Sequence, residues 1–259
     1  MRERIRLTVA LVLATVVAFT IMSPQARAET KVDLELVLLA DASGSIDSTE
    51  LAFQRQGYAD ALVHPEVQRA IASGAYRRIA LAYVEWGNDQ WQDVVVPWTI
   101  IDGLQSARAF GATLLERPRR AHGGNAIGSA LAAATRLIEG NEIRGERKVI
   151  DLSGDSANSW SGIPIPVARA EALAHGIVIN GLAIACRDQG CSGRPMLYNL
   201  EDAFERDIIG GPGSFVVTAD SSTSFEDAVR KKLILEISAA PAESVRLAGR
   251  ERQLSPARP

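Results

Sequence analysis

The sequence predicts an α/β protein, a doubly wound, mainly parallel sheet with helices on both faces. Two observations carry this. Short apolar runs alternate with amphipathic ones through residues 29–238, as strands linked by helical crossovers do. The run 36–40 (Leu-Val-Leu-Leu-Ala) has no polar interruption, which is how a parallel strand covered on both faces reads. Right-handed crossovers then distribute the helices to both sides.

Taken in chain order, 36–40 is the first strand. Residues 48–63 read as a helix, with Asp47 or Ser48 as N-cap and Pro65 beyond its end. Strands follow at 79–86 and, after the turn-like Asn88-Asp89, at 94–98. A helix is expected over 106–116. Another is expected over 125–138, where Ile127, Leu131, Ala134, Leu137 and Ile138 share one face before Gly140-Asn141. A strand at 149–152 includes Asp151. A helix at 166–175 ends before Gly176, and 177–184 is the next strand. A short helix at 199–208, a glycine-rich turn, a strand at 215–218 and a helix at 225–237 complete the domain.

The ends read differently. Arg2, Arg4 and Arg6 precede an apolar stretch, and Ala26-Arg27-Ala28 follows it, an order that matches a secretory signal peptide cut after Ala28. An uncleaved anchor helix is the rival, but the stretch is short against the roughly 20 residues a span needs. No later stretch is long and apolar enough to cross a bilayer, and no cysteine near the cut supports a lipid anchor. Residues 29–238 suit one domain. Residues 239–259, rich in Ala, Pro, Arg and Ser, read as a disordered tail. The chain carries −3. Losing Arg2, Arg4, Arg6, Arg27 and Glu3 removes four positive charges and one negative, leaving −6. Nothing forms the basic face that nucleic-acid binding needs. An exported protein meets an oxidising compartment, so Cys186 and Cys191 are expected to form a disulfide. Zinc binding by this pair lacks a second pair of ligands.

In sheets of this kind, ligands sit beyond the carboxyl ends of the strands. Asp41-Ala42-Ser43-Gly44-Ser45 lies at the end of the first strand, offering one carboxylate and two hydroxyls on one turn. Hard divalent cations such as magnesium take that set. Ser153-Gly154-Asp155-Ser156 ends the fourth strand, and Gly123-Gly124-Asn125 precedes a helix. Each alone reads equally as a turn or an N-cap. Together they place three oxygen-bearing loops at one end of the sheet. His64, His122 and His175 have no metal spacing, and Glu201-Asp202 reads as solvated surface. Glu85, Trp86 and Trp91 lie where a rim could form, with Trp86 expected to be packed.

The Asp-x-Ser-x-Ser turn, the helix opening after Gly-Gly and the strand-end aspartate resemble the metal-ion-dependent adhesion site of von Willebrand factor A domains. The chain is also similar to a family of uncharacterised exported bacterial proteins carrying that domain. Its marks are Asp41-Ala42-Ser43-Gly44-Ser45, Val84-Glu85-Trp86, Val96-Pro97-Trp98, the run 150–155 and the run 179–184. The resemblance spans 32–238. It implies a sheet of order 3-2-1-4-5-6 with an antiparallel third strand at one edge, which brings Asp41 and Asp155 together. It further implies a cation, Mg2+ or a similar hard ion such as Mn2+ or Ca2+, held by Asp41, Ser43, Ser45, Asn125 and Asp155. The serines would bind directly, and the aspartates directly or through water. Asn125 stands where such sites usually have Thr, although an amide carbonyl can ligate a hard cation. The implied activity is binding of a protein, of unknown identity, that presents a carboxylate to the ion. The location would be periplasmic or secreted. A metal-dependent hydrolase using Asp41 or Ser43 as nucleophile is the enzymatic alternative. It lacks a placed histidine base, and the three loops contain no Lys or Arg to clamp a phosphoryl group. A structural envelope protein with a vestigial site is the third reading.

Overall fold

The computed structural model describes residues 29–185, 198–219 and 225–238. The segment expected to be a signal peptide, the Cys186–Cys191 pair and the expected tail lie outside the described residues. Fifteen elements follow one another: β1 (Thr30–Val32), β2 (Leu34–Asp41), α1 (Ser48–Val63), α2 (Pro65–Ala72), β3 (Ile79–Trp86), β4 (Gln92–Ile101), α3 (Leu104–Glu116), α4 (Ile127–Glu139), β5 (Ile143–Gly145), β6 (Lys148–Gly154), α5 (Ile165–Ala174), β7 (Val178–Ile184), α6 (Leu200–Asp207), β8 (Val216–Ala219) and α7 (Phe225–Ser238).

Six strands form the main sheet in the order β4-β3-β2-β6-β7-β8. All neighbours are parallel except β3 and β4. Numbered within that sheet alone, this is 3-2-1-4-5-6, the expected doubly wound order with its antiparallel edge. β2 lies at the centre and is buried along its whole length. Leu34, Leu36, Leu38 and Ala40 point into one core, packed with residues of α1, α2, α3 and α7. Val37 and Leu39 point into the other, built with α4, α5 and α6. The unbroken apolar run of 36–40 has its cause here, since both faces of the strand lose water.

Four local differences from the sequence reading have local reasons. A second helix, α2, starts at Pro65. His64 adopts the extended conformation (φ −63°, ψ 137°) that a residue before proline prefers, and Pro65 opens α2 at its first position. The third strand runs to Ile101 rather than Trp98, because antiparallel pairing with β3 continues through Ile79↔Ile101. Asn125 does not cap α4: the helix starts at Ile127, and Ala126 precedes it without a side-chain cap. A two-stranded parallel pair, β1 with β5, lies outside the main sheet. Asp47 is the N-cap of α1, in a capping box with Glu50. Among the described residues, no helix is long and apolar enough to cross a membrane.

Candidate metal centre

β2 and β6 are adjacent and parallel, in register through Leu39↔Leu152, so their carboxyl ends deliver Asp41 and Asp155 to one place. The Asp41 side chain is fully buried. Its Oδ1 accepts a hydrogen bond from the Ser43 backbone N–H at 2.8 Å, which folds the turn back on the carboxylate. The Ser43 and Ser45 hydroxyls lie 3.1 Å apart. Gly154 lets the second loop come close: a Cβ there would lie 3.3 Å from Asp41 Oδ2 and 3.4 Å from the Trp86 ring.

The electrostatics record this crowding. Burial, with the negative charge of Asp155 added, pushes the Asp41 carboxyl up to about 7. Asp155 is also raised, chiefly by burial, while hydrogen bonding with Ser45 and Asp41 opposes the rise. Glu50, the capping-box partner of Asp47, is raised by desolvation and by the charges of Asp47 and Asp155. Asp41 Oδ2 and Asp155 Oδ1 are buried without a protein hydrogen-bond partner. A fully buried carboxyl, Asp41, and a partly buried one, Asp155, whose charge raises it, each with an unsatisfied oxygen near serine hydroxyls, are a donor set that a hard cation fits. Among the described residues, no group of three His, Cys, Asp or Glu is arranged to hold a metal. Ligation here therefore requires the hydroxyl and amide oxygens.

Asn125 joins this cluster through the backbone. The Gly44 N–H donates to the Gly123 carbonyl at 2.6 Å, fastening the two loops together. Gly123 has φ +96°, and a Cβ there would lie 2.7 Å from the Asn88 side chain, so glycine serves both conformation and contact. Asn125 is buried, and its carbonyl accepts from the Trp160 N–H at 2.7 Å. No hydrogen bond joins its side-chain amide to Asp41, Ser43, Ser45 or Asp155. The structure thus gathers four of the five residues by side chain and sets the fifth alongside.

The remaining expectations sort as follows. Trp86 is fully buried, its indole N–H donating to the Leu39 carbonyl at 3.2 Å. Glu85 is buried in a two-pronged ion pair with Arg55, at 2.7 and 2.9 Å. Trp91 is exposed and packs at a tilt against the His122 ring, centroids 4.6 Å apart. Glu201 and Asp202 are exposed.

Two residues escaped the sequence reading. Glu50 reads only as a capping-box partner, and its nearness to Asp155 depends on how α1 sits against β6. Arg119 lies outside all three loops, yet its guanidinium donates to carbonyls of the first: to Ala42 at 2.7 Å, Ser43 at 3.0 Å and Ile46 at 2.9 Å. Its Nε also donates to Ala121 at 3.0 Å. Nothing local in the sequence marks it.

A family model described as a protein of unknown function, DUF1194, matches residues 31–241. No curated protein matches the chain significantly. Among solved structures, proximal thread matrix protein 1 from the mussel byssus, in a form described with a zinc-occupied MIDAS motif, is 18% identical. It aligns with a TM-score of 0.59 over 81% of this chain and 49% of that one. A von Willebrand factor type A protein from Catenulispora acidiphila is 16% identical, with a TM-score of 0.53 over 80% and 42%. The pilus adhesin SpaC from Lactobacillus rhamnosus GG is 17% identical, with a TM-score of 0.53 over 82% and 30%. The chain thus spans less than half the length of each of these solved chains. These likenesses show a von Willebrand factor A fold.

Proposed function

The chain belongs to the family described as protein of unknown function DUF1194, and from that premise we propose that it is an exported, divalent-cation-dependent protein-binding module. The observation that carries the reading is the buried Asp41 carboxyl, raised by the charge of the half-buried Asp155, each carboxyl having an unpartnered oxygen near Ser43 and Ser45. Such an arrangement is unfavourable by itself and is relieved by a cation. Asp41, Ser43, Ser45 and Asp155 would hold the ion, with the Asn125 amide carbonyl completing the protein's share. Mg2+, Mn2+ and Ca2+ all suit these oxygens. A bound ion would supply positive charge and a coordination place that a partner's carboxylate can take. The protein's own part is to exclude water from Asp41 and hold the turn rigid. Export rests on the basic and apolar opening of the sequence. The zinc-occupied motif described for the mussel relative supports a divalent cation in this fold.

The test is calorimetric titration of MgCl2, MnCl2 and CaCl2, with thermal unfolding in parallel. An ion that binds only the folded state stabilises it by about 2.7 kcal/mol at a hundredfold excess over its dissociation constant. Asp41→Ala should remove that stabilisation and leave the fold intact. Absence of both heat and thermal shift at millimolar levels of all three ions overturns the cation reading. Affinity capture from a periplasmic extract, with magnesium or with chelator, then tests whether protein binding depends on the ion.

A further inference from the structure

We propose that Arg119 is the positioning residue of the cation centre, holding the Asp41–Ser45 turn in its ligating shape whether or not an ion is present. The inference rests on the cation reading above, which makes that turn the ligating element.

The turn is built from backbone whose carbonyls converge. Ala42 and Ile46 flank the two serines, and one planar guanidinium collects their carbonyl oxygens and that of Ser43 at 2.7–3.0 Å. An arginine offers five N–H donors in a rigid fork. Three of them are committed here, and the Nε N–H goes to the Ala121 carbonyl. Hydrogen bonds from a charged donor are among the stronger ones. Without the guanidinium, three carbonyl dipoles of one turn would crowd together with fewer donors among them, and nothing else in the turn replaces it. The other backbone N–H ties are single bonds: Ala42 N–H to the Trp86 carbonyl at 2.8 Å, Ser43 N–H to Asp41 Oδ1 at 2.8 Å, Gly44 N–H to the Gly123 carbonyl at 2.6 Å, and Ile46 N–H to the Ser43 carbonyl at 3.1 Å.

Arg119 also sits in the segment that delivers the loop carrying Gly123 and Asn125. That segment follows α3, and at its start the Arg117 carbonyl accepts from Arg55, itself locked to Glu85. Two arginines thus fasten one stretch of backbone, Arg55 from α1 behind it and Arg119 reaching forward into the first turn. A few residues on, Gly123 and Asn125 reach the centre. Arg119 therefore fixes the ligating turn and couples it to the loop carrying Asn125. The centre is preformed, and binding need not order the turn at the ion's expense.

The experiment compares wild type with Arg119→Gln, Arg119→Lys and the neighbouring control Arg120→Gln. It reads calorimetric affinity for Mn2+ and amide hydrogen exchange of Ala42, Gly44 and Ile46, whose N–H groups are bonded, each with and without Mn2+. In wild type these amides should be protected in both states. In R119Q they should exchange at least tenfold faster without Mn2+ and regain protection with it. Affinity should fall about tenfold, with a less favourable binding entropy. R119K, keeping the charge without the fork, should fall between, and R120Q should match wild type. Wild-type exchange and affinity in R119Q overturn the proposal. If R119Q does not fold, R119K carries the same comparison, and wild-type behaviour there overturns the proposal equally. If wild type itself binds no Mn2+, the cation reading fails and Arg119's role toward an ion falls with it. Faster exchange in R119Q would then show only that Arg119 holds the turn.

Discussion

Replacing Asp41 by Asn should make the ion-free protein more stable at pH 8 and blind to divalent cations. Asp41 is fully buried and its carboxyl is displaced from 3.8 to about 7 by desolvation and by Asp155. Ionising it inside the fold therefore opposes folding by at most about 4 kcal/mol once the pH exceeds 7. The sign follows from proton linkage. The folded state keeps this proton to higher pH than the unfolded chain, so the group's favourable contribution is fully present below about 3.8. It is lost as the pH rises to about 7. Asparagine keeps an oxygen for the Ser43 N–H, held at 2.8 Å, and carries no charge. Burying its amide costs about 1–2 kcal/mol of its own, leaving a net gain of about 2 kcal/mol at pH 8. For a domain of this size that is about 4–8 °C in melting temperature. The assay is thermal unfolding in chelator and in 5 mM MnCl2, at pH 8 and near pH 4. The variant should melt above wild type in chelator at pH 8, the gap should close toward pH 4, and Mn2+ should shift wild type only. An ion-free D41N that melts at or below wild type at pH 8 would refute the idea that the two carboxyls are held together against their repulsion.

Three further expectations follow from the same geometry. Cation binding must displace the Asp41 proton, so apparent Mn2+ affinity should weaken about tenfold per pH unit between 7 and 5; calorimetry finding a flat profile would exclude this. Lys232 is almost wholly buried, with its ammonium 2.6 Å from Asp151 and 2.5 Å from Glu236, so Lys232→Met leaves two buried carboxyls uncompensated and should cost about 3–5 kcal/mol at pH 8 in denaturant unfolding. Burial and the Glu236 charge already raise Asp151 to about 7, so this loss should shrink as the pH falls and Asp151 takes up a proton. Asn125→Thr, which places a hydroxyl where such sites usually carry one, should tighten Mn2+ binding severalfold; unchanged or weaker binding would mean the amide is not what limits affinity.

The resident charges also explain why α7 docks on the sheet where it does. Lys232 and Glu236, four residues apart on one helix, point inward, where Asp151 of β6 and Asn180 of β7 meet them; the Asn180 amide donates to Glu236 at 3.0 Å. The sequence shows Asp151 inside an apolar strand as an oddity. Its partner lies 81 positions away and is supplied by packing alone.

Local chemistry made much of the architecture legible in advance. The alternation of apolar and amphipathic runs determines which segments are strands and helices, because period and burial are local properties of a strand or helix. The continuous apolar run of β2 marks it as central, and Asp47 or Ser48 marks the start of α1. Asp41, Ser43 and Ser45 stand out because two-residue spacing puts their oxygens on one turn. Pro65 marks the end of α1 correctly, and the helix it opens, α2, escapes the sequence reading because proline both stops a helix and starts one. What the sequence could not decide is distance across the fold. The resemblance implies that Asp155 lies against Asp41; that Glu50 feels Asp155 and that Asn125 stands beside the cluster by its backbone depend on packing across the fold, on the register of β2 with β6 and the seating of α1. Arg119 is the clearest case. It carries no motif, and its role exists only because tertiary packing turns three carbonyls of a distant turn toward one guanidinium. Hydrogen bonds and charge repulsion act through space, whereas a sequence displays only neighbours along the chain.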